Sequence, residues 1–307
     1  MPHSSKHLGV KALIAAALLT TPPLTGAAPA QVNSLSAEEM AHYTPHNPYS
    51  RFPDGRPQVP DRLIETIREM DLEIEEAWGL LRDEGYPNQY DGDWKVLLPD
   101  KKLVGRAFTV QFMPTRADLA EAMQKDAEAK GLRRLRNQTT IDMLQSGDVA
   151  VVDLYGKIEG GTFVGDKLAY YINKTTGTGL IVDGALFYLG RIFDTGMPAC
   201  YRGTHPSSLS NAMVTGINVP IRIGAATVMP GDVVLGDRDG VLFIPPQLVE
   251  RIIESAKTRR LRDEWVKKQF DTGKHKSSEI YGRPRDPKLL KEMEAFIATR
   301  SKEQKKP

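Results

Sequence analysis

The sequence predicts an α/β fold, and three observations carry that prediction. The run "VAVVDLYG" (residues 149–156) is one continuous apolar strand and "LIVDGAL" (residues 180–186) is another, with a Gly-rich loop and a helix from about Asp166 to Lys174 between them. Strand, helix and strand in that order imply a parallel pair joined by a right-handed crossover. Downstream, "NVPIRIGAATVMPGDVVLGDRDGVLFIP" (residues 218–245) is a succession of short strands divided by Pro-Gly and Asp-Gly turns, which predicts antiparallel structure continuous with the same domain.

The elements follow in chain order. Lys6, His7 and Lys11 precede the apolar run "ALIAAALLT" (residues 12–20), and Ala28 and Ala30 flank Pro29. This is the pattern of a secretory signal peptide, with cleavage near Ala30 and export to the periplasm or beyond; the apolar run is too short to span a bilayer. Residues 31–60 are polar and interrupted by Pro45, Pro48, Pro53, Pro57 and Pro60, and are expected to form an extended arm. A single helix is expected from Asp61, because Leu63, Ile64, Ile67, Met70, Leu72, Ile74, Trp78 and Leu81 recur at near-helical spacing until Gly85 and Pro87. "LVGRAFTVQFMP" (residues 103–114) reads as a strand and "ADLAEAMQKDAEAKG" (residues 117–131) as a helix. Past Pro245 and Pro246 a helical extension begins, with Val249, Ile252, Ile253, Ala256, Leu261, Trp265 and Phe270 on one stripe. Its charges are of both signs, as on a solvated face, and such a helix can also clasp a neighbouring subunit. The domain organisation read this way is 1–30 signal peptide, 31–60 arm, 61–245 main domain and 246–307 helical extension.

Composition narrows the function. The chain has 307 residues, a formal net charge of +2, a charged fraction of 26% and a hydrophobic fraction of 40%, which gives no sign of a nucleic-acid binder. Cys200 is the one cysteine, so no intramolecular disulfide can form, and a buried inert thiol is expected. There is no G-x-S-x-G elbow, H-E-x-x-H, phosphate-binding Walker loop or C-x-x-C pair, and the histidines are scattered. What remains is "EGGTFVGDKLA" (residues 159–169), where glycines expose backbone N–H groups and Gly165-Asp166 stands before a helix whose first-turn amides can hold a carboxylate or phosphate. A tight turn with Asp166 as helix cap is the competing account of the same residues.

The ordered set "GRAFTV", "GDVAVVD", "VGDKLA", "GTGLIVDGAL", "GMPACYRGTHP", "NVPIRIGAATVMPGD" and "GDRDGVLFIP" resembles the RraA-like family, which includes 4-hydroxy-4-methyl-2-oxoglutarate aldolases and related oxaloacetate decarboxylases. The resemblance runs from about Gly105 to Pro245. It implies a swivelling α/β/β sandwich, assembled as a homo-trimer or hexamer with the active site between subunits. It also implies that Gly165, Asp166, Lys167 and Leu168 bind a substrate carboxylate, with Asp166 holding metal-bound water. In the family a D-G-x-x-R-D motif then supplies an arginine that clamps the keto acid and an aspartate that ligates magnesium or manganese, so that cation and guanidinium stabilise the enolate formed on carbon–carbon cleavage. Here that motif reads Asp183-Gly184-Ala185-Leu186-Phe187-Tyr188, with phenylalanine at the arginine position and tyrosine at the ligand position. A neutral phenol does not replace a carboxylate as ligand to a hard cation, and a phenyl ring carries no charge.

Three readings stand open. In the first, the cleft of a divergent lyase takes a small acidic or carbonyl-bearing compound, Phe187 lines it, Tyr188 is a general acid, Arg191 replaces the missing cation, and Asp166 or Asp183 acts as base or recruits a divalent metal. In the second, the chain is a non-catalytic homologue with a binding or structural role. The third, regulation of a ribonuclease, fits an exported chain poorly. Arg202 and His205 in "YRGTHP" are further candidates to line the cleft, and "DRDG" (residues 237–240) reads as a hairpin turn rather than a calcium loop.

Overall fold

The structure, a computed structural model, describes residues 34–304. The expected signal peptide lies outside them. The N-terminal part holds helices α1 (Ala37–Tyr43), α2 (Asp61–Glu69) and α3 (Ile74–Asp83), then the two-residue strands β1 (Tyr90–Asp91) and β2 (Lys95–Val96). The centre is β3 (Leu103–Pro114), α4 (Ala117–Ala129), α5 (Asn137–Ile141), β4 (Asp148–Val164), α6 (Asp166–Thr176), β5 (Leu180–Leu186), α7 (Leu189–Asp194) and β6 (Ala199–Thr204). Strands β7 (Ala212–Ile217), β8 (Ile221–Ile223), β9 (Ala226–Val228), β10 (Val233–Asp237) and β11 (Gly240–Ile244) follow, and the chain finishes with α8 (Val249–Asp271), α9 (Ser277–Ile280) and α10 (Pro287–Gln304).

Strands β3, β4, β5 and β6 are parallel neighbours at the middle of a sheet ordered β1-β11-β10-β3-β4-β5-β6-β2, with β7 paired antiparallel to β3. Their unbroken apolar runs follow from burial on both faces. Phe108, Val110, Ala150, Val152, Leu180 and Val182 point to one side, where α6 and α7 supply Ile172 and Ile192. Ala107, Val149, Val151 and Ile181 point to the other, against the β8–β9 hairpin. The α2, α3 and α8 helices close a third apolar cluster over Val104, Val233, Leu235 and Leu242. The architecture is the expected mixed α/β fold with a helical C-terminal extension. Cys200 is buried in the second cluster, and burial pushes its thiol up to about 12, so it is inert.

Four local expectations are corrected. The arm is not extended throughout: it contains α1, and Met40, Arg56 and Val59 are fully buried. The cause is Arg56, whose Nη1 donates to Asp148 Oδ1 at 3.0 Å and whose Nε donates to Asp54 at 2.7 Å, with the guanidinium over the rings of Phe52 and Phe108. The single helix from Asp61 is two helices. Asp71 adopts a left-handed backbone (φ 49°), Leu72 turns inward, and Glu73 starts α3 as its cap, while Lys102 and Arg260 take up the carbonyls exposed by the break. The expected Gly-rich loop is the end of β4: the chain leaves the ladder after Val152, meets β5 again at Lys157, and after a second excursion pairs with it at Thr162 and Val164. The excursion closes at Gly161, where a Cβ would lie 1.8 Å from the Lys157 carbonyl oxygen, so no side chain fits. Phe270, placed on the buried stripe of α8 by its spacing, is 37% exposed at the fraying end of that helix.

Asp232, in the turn before β10, is buried with one carboxylate oxygen accepting the Met229 N–H at 2.8 Å; burial raises its pKa from 3.8 to about 7. A folded-state value above the unfolded one means that its contribution is fully present below about pH 4 and is lost as pH rises through about 7. The Asp232→Asn protein should therefore lose less stability than wild type between pH 4 and pH 8, by an amount on the order of 4 kcal/mol. Parallel pH profiles of chemical denaturation for the two proteins would refute this.

Candidate functional site

Helix α6 starts where β4 ends. Gly165 is its N-cap with extended backbone, and no side chain caps the first turn, so the N–H groups of Asp166, Lys167 and Leu168 stand at the positive end of the helix dipole. They open onto a cleft of about 810 Å³ between α4, the start of α5, the end of β4 and residues 208–214. Gly165 is required by the opposite wall: a Cβ there would stand 2.8 Å from Phe187 Cε1, so the phenyl ring rests directly on the glycine.

Phe187 and Tyr188 follow β5 as a tilted aromatic pair with ring centroids 4.4 Å apart. Tyr188 caps α7 in a left-handed conformation (φ 59°, ψ 40°), uncommon for a bulky side chain and a sign of local strain, and is half exposed. The Arg191 guanidinium lies 5.1 Å over the Tyr188 ring, and its Nη1 is 3.7 Å from Asp166 Oδ2. Tyr188, Asp166 and Arg191 thus converge at one end of the cleft, with Gly165, Lys167, Leu168 and Phe187 beside them; Arg191 itself sits in a shallow recess adjoining it, with Asp166 and Lys167.

Arg202, Asp183 and His205 are not brought to the cleft. Arg202 donates to Asp183 Oδ1 at 2.8 Å, to a carboxylate oxygen of Asp91 and to the Gly92 carbonyl at 2.9 Å, with its guanidinium stacked 3.7 Å from the Trp94 ring centroid. Its donors are spent on joining the β1–β2 connection to β5, and Asp183, 8% exposed, is the partner that holds it. These two expectations are therefore corrected: the pair is a structural ion network. His205 Nδ1 lies 2.7 Å from Ser207 Oγ, which accepts the Gly160 N–H, so the imidazole orders a turn.

The divalent metal implied by the resemblance does not fit this geometry. Tyr188 occupies the ligand position, Asp183 is engaged by Arg202, and Asp166 is the only carboxylate among the described residues lining the cleft. What the cleft has instead are cations. Lys167 and Arg136 line it, both are exposed, and neither has a carboxylate within ion-pair distance among the described residues. Arg136 was not singled out by sequence, because "GLRRLRNQTT" shows an arginine cluster with no motif. Asn137, which donates to the Phe163 carbonyl at 2.7 Å and so ties α5 to β4, brings it into position.

Comparison with known proteins agrees with this architecture. The model of the RraA-like family, described as Aldolase/RraA, matches residues 66–243. Protein DlpA of Legionella pneumophila is 27% identical over 180 residues, which are 58% of this chain and 27% of DlpA. A Halalkalibacterium halodurans protein named "Putative 4-hydroxy-4-methyl-2-oxoglutarate aldolase" is 34% identical over 122 residues, 38% of this chain and 56% of that protein. The chain thus spans less than two thirds of the length of these curated relatives. Among solved structures, Streptomyces coelicolor RraAS2, described as an unusual member of the RNase ES inhibitor RraA protein family, superposes with a TM-score of 0.59 at 26% identity, covering 69% of this chain and all of that one. An uncharacterized Pseudomonas syringae protein shares the fold with a TM-score of 0.58 at 21% identity, covering 74% of this chain and 93% of that one.

The contact between Gly165 and Phe187 yields a direct test. Gly165→Ala should destabilise the protein by about 1–3 kcal/mol through overpacking, and adding Phe187→Ala should relieve most of that strain, giving a positive coupling in a double-mutant cycle. Additive effects of the two substitutions would show that the ring does not rest on the glycine.

Proposed function

The chain belongs to the RraA-like family, and from that premise we propose that it is a divergent carbon–carbon lyase acting on a small keto acid without the family's metal. One observation carries this reading: the open amides of the α6 first turn, Lys167 and Arg136 without a carboxylate partner among the described residues, and the Tyr188–Asp166 pair meet at one cleft, with Arg191 in the adjoining recess. The substrate carboxylate lies on the amides of residues 166–168, and its keto oxygen is turned toward Lys167 and Arg136. Asp166, oriented by Arg191, accepts the proton of the substrate hydroxyl. The carbon–carbon bond breaks with its electron pair passing to the keto acid as an enolate, whose charge the two cations and the helix terminus stabilise. Tyr188 donates its phenolic proton to the enolate carbon, and the proton held by Asp166 passes through solvent to the tyrosinate, which resets both groups. For a decarboxylation the bond that breaks releases carbon dioxide and the hydroxyl step is absent.

A second reading has its own support. Two aromatic rings stand at the positions of the family's arginine and metal ligand, as they would in a relative that binds without turnover. Oxaloacetate and 4-hydroxy-2-oxo diacids supplied to the full chain in the presence of a chelator should be consumed, and added magnesium should leave kcat unchanged. Arg136→Ala should lower kcat/KM by about tenfold or more, with part of the loss in kcat, the equivalent of one charge-assisted contact to the enolate oxygen. Ligand-dependent stabilisation without consumption would favour the binding reading, and activity appearing only with magnesium would overturn the metal-free one.

Export and assembly as a trimer or hexamer belong to the same proposal. The first rests on residues 1–30, and the second is supported by the exposed aromatic side chains Tyr170, Tyr171 and Phe193 on α6 and α7, close to the cleft. Protein isolated from its natural source should begin near Gln31 and have the mass of three or six chains. An intact Met1 would remove the first claim and a monomer the second.

A further inference from the structure

The β10–β11 turn carries a second group of titratable side chains, none of which lines the cleft. Asp237 ends β10, Asp239 lies in the turn, and Glu73 caps α3, and one carboxylate oxygen from each falls within 4.8 Å of the other two. Three like charges so close repel one another unless a cation is shared among them. The nearby cations only partly meet that need. Lys102 Nζ is 3.1 Å from Glu73 Oε1, but it also pairs with Asp71 at 3.1 Å and donates to the Leu72 carbonyl at 2.6 Å, while Arg238 is turned away onto Asp100 at 2.8 Å. Arg260 also acts on Glu73 and Asp71 but is held by the Glu76 carboxylate at 2.6 Å, so with Lys102 and Arg260 set against Glu73, Asp71, Glu76, Asp237 and Asp239, negative charge remains in excess.

The independent sign of a ligand comes from Asp237. Its side chain is buried, with the residue 4% exposed, and Oδ1 accepts the Asp239 N–H at 2.9 Å, yet the buried Oδ2 has no hydrogen-bond partner among the described residues. An orphaned carboxylate oxygen is costly in a protein interior and calls for a partner. The donors are all carboxylate oxygens, without histidine or cysteine, which selects a hard cation of the calcium or magnesium type over zinc.

We propose that Glu73, Asp237 and Asp239 bind a divalent, oxygen-preferring cation, calcium before magnesium because the three carboxylates come from two separate segments and do not form a rigid octahedron. The bound ion cross-links the β10–β11 turn to the N-terminus of α3, tying the helical layer to the sheet. The site is structural and separate from the lyase reading, so the failure of either leaves the other standing.

Terbium serves as the probe, because the Tyr90 hydroxyl donates to the Asp239 carbonyl at 2.7 Å and its ring can sensitise lanthanide emission. Full-length protein treated with a chelator should show tyrosine-sensitised terbium luminescence that calcium displaces, and calcium should raise its melting temperature. Asp239→Asn, at an exposed turn position, should weaken calcium binding by at least about tenfold, and Asp237→Asn should abolish it. Tyr90→Phe should lose the luminescence yet keep the calcium-dependent thermal shift. If Asp237→Asn does not fold, Asp239→Asn alone decides the matter. Undiminished calcium binding by Asp239→Asn, or no thermal shift of wild type at millimolar calcium, overturns the proposal.

Discussion

A guanidinium and a carboxylate, both entirely withdrawn from water, hold this fold in register. Arg56 reaches from the N-terminal arm to Asp148, the first residue of β4, and Asp148 also accepts the Gln145 N–H at 2.9 Å. Beside it, Arg106 of β3 donates to the Val59 carbonyl and to Asp61, both at 2.7 Å, so the arm, the start of α2 and the entry to β4 are fastened together. Burying such a pair is expensive, and either charge left alone would cost more than the pair contributes. The return is positional: Arg106 stands opposite Asp148 in the parallel ladder, and every later pairing of β3 with β4 follows from that alignment.

The alignment reaches the cleft through β4. The excursion after Val152 resets the register with β5, so that the last residue of β4, Val164, pairs with Leu186, and the turns that follow each strand, Gly165 and Phe187, face each other across the sheet end. Ligand sites collect where strands of a parallel sheet release their chains, and both turns belong to that rim. The Phe187–Tyr188 pair places aromatic rings on that rim. Positive charge at the cleft comes from the N-cap of α5 and the first turn of α6, through Arg136 and Lys167. The strained backbone of Tyr188 is held by the ring contact with Phe187 and by Arg191 lying over the phenol, and that same arginine turns toward Asp166.

The opposite wing of the sheet uses carboxylates differently. At the Arg202 network each carboxylate meets a guanidinium, whereas at Glu73, Asp237 and Asp239 three acids share part of one lysine. In the first, both acids are engaged by the one guanidinium. The second leaves an oxygen unengaged, and this imbalance separates a structural brace from a site with room for a cation.

By itself the sequence determined the strands at the centre of the fold (β3, β4 and β5) and the short antiparallel strands after Asn218, the helix after Gly165, the family, and the replacement of an arginine and an aspartate by Phe187 and Tyr188. These are encoded in neighbouring residues: apolar periodicity, turn chemistry and motif spacing act over a few positions. Tertiary structure decided what the polar side chains do. Arg56 and Asp148 are 92 positions apart, and nothing local in either marks a partner. The stripe from Leu63 to Leu81 reads as one helix because Met70, Leu72 and Ile74 are all apolar; the break at Asp71 appears only once Leu72 has a core to enter and Lys102 and Arg260 meet the freed carbonyls. Arg202, a candidate from its strand-end position, is claimed by Asp91 and Asp183, while Arg136, unmarked in its cluster, has no carboxylate partner among the described residues. The physical reason is the same in each case. Burial of apolar surface depends on composition along a face and is legible from one segment, but a charged group finds its partner only after distant segments have packed, since the partner's identity and distance are properties of the assembled fold.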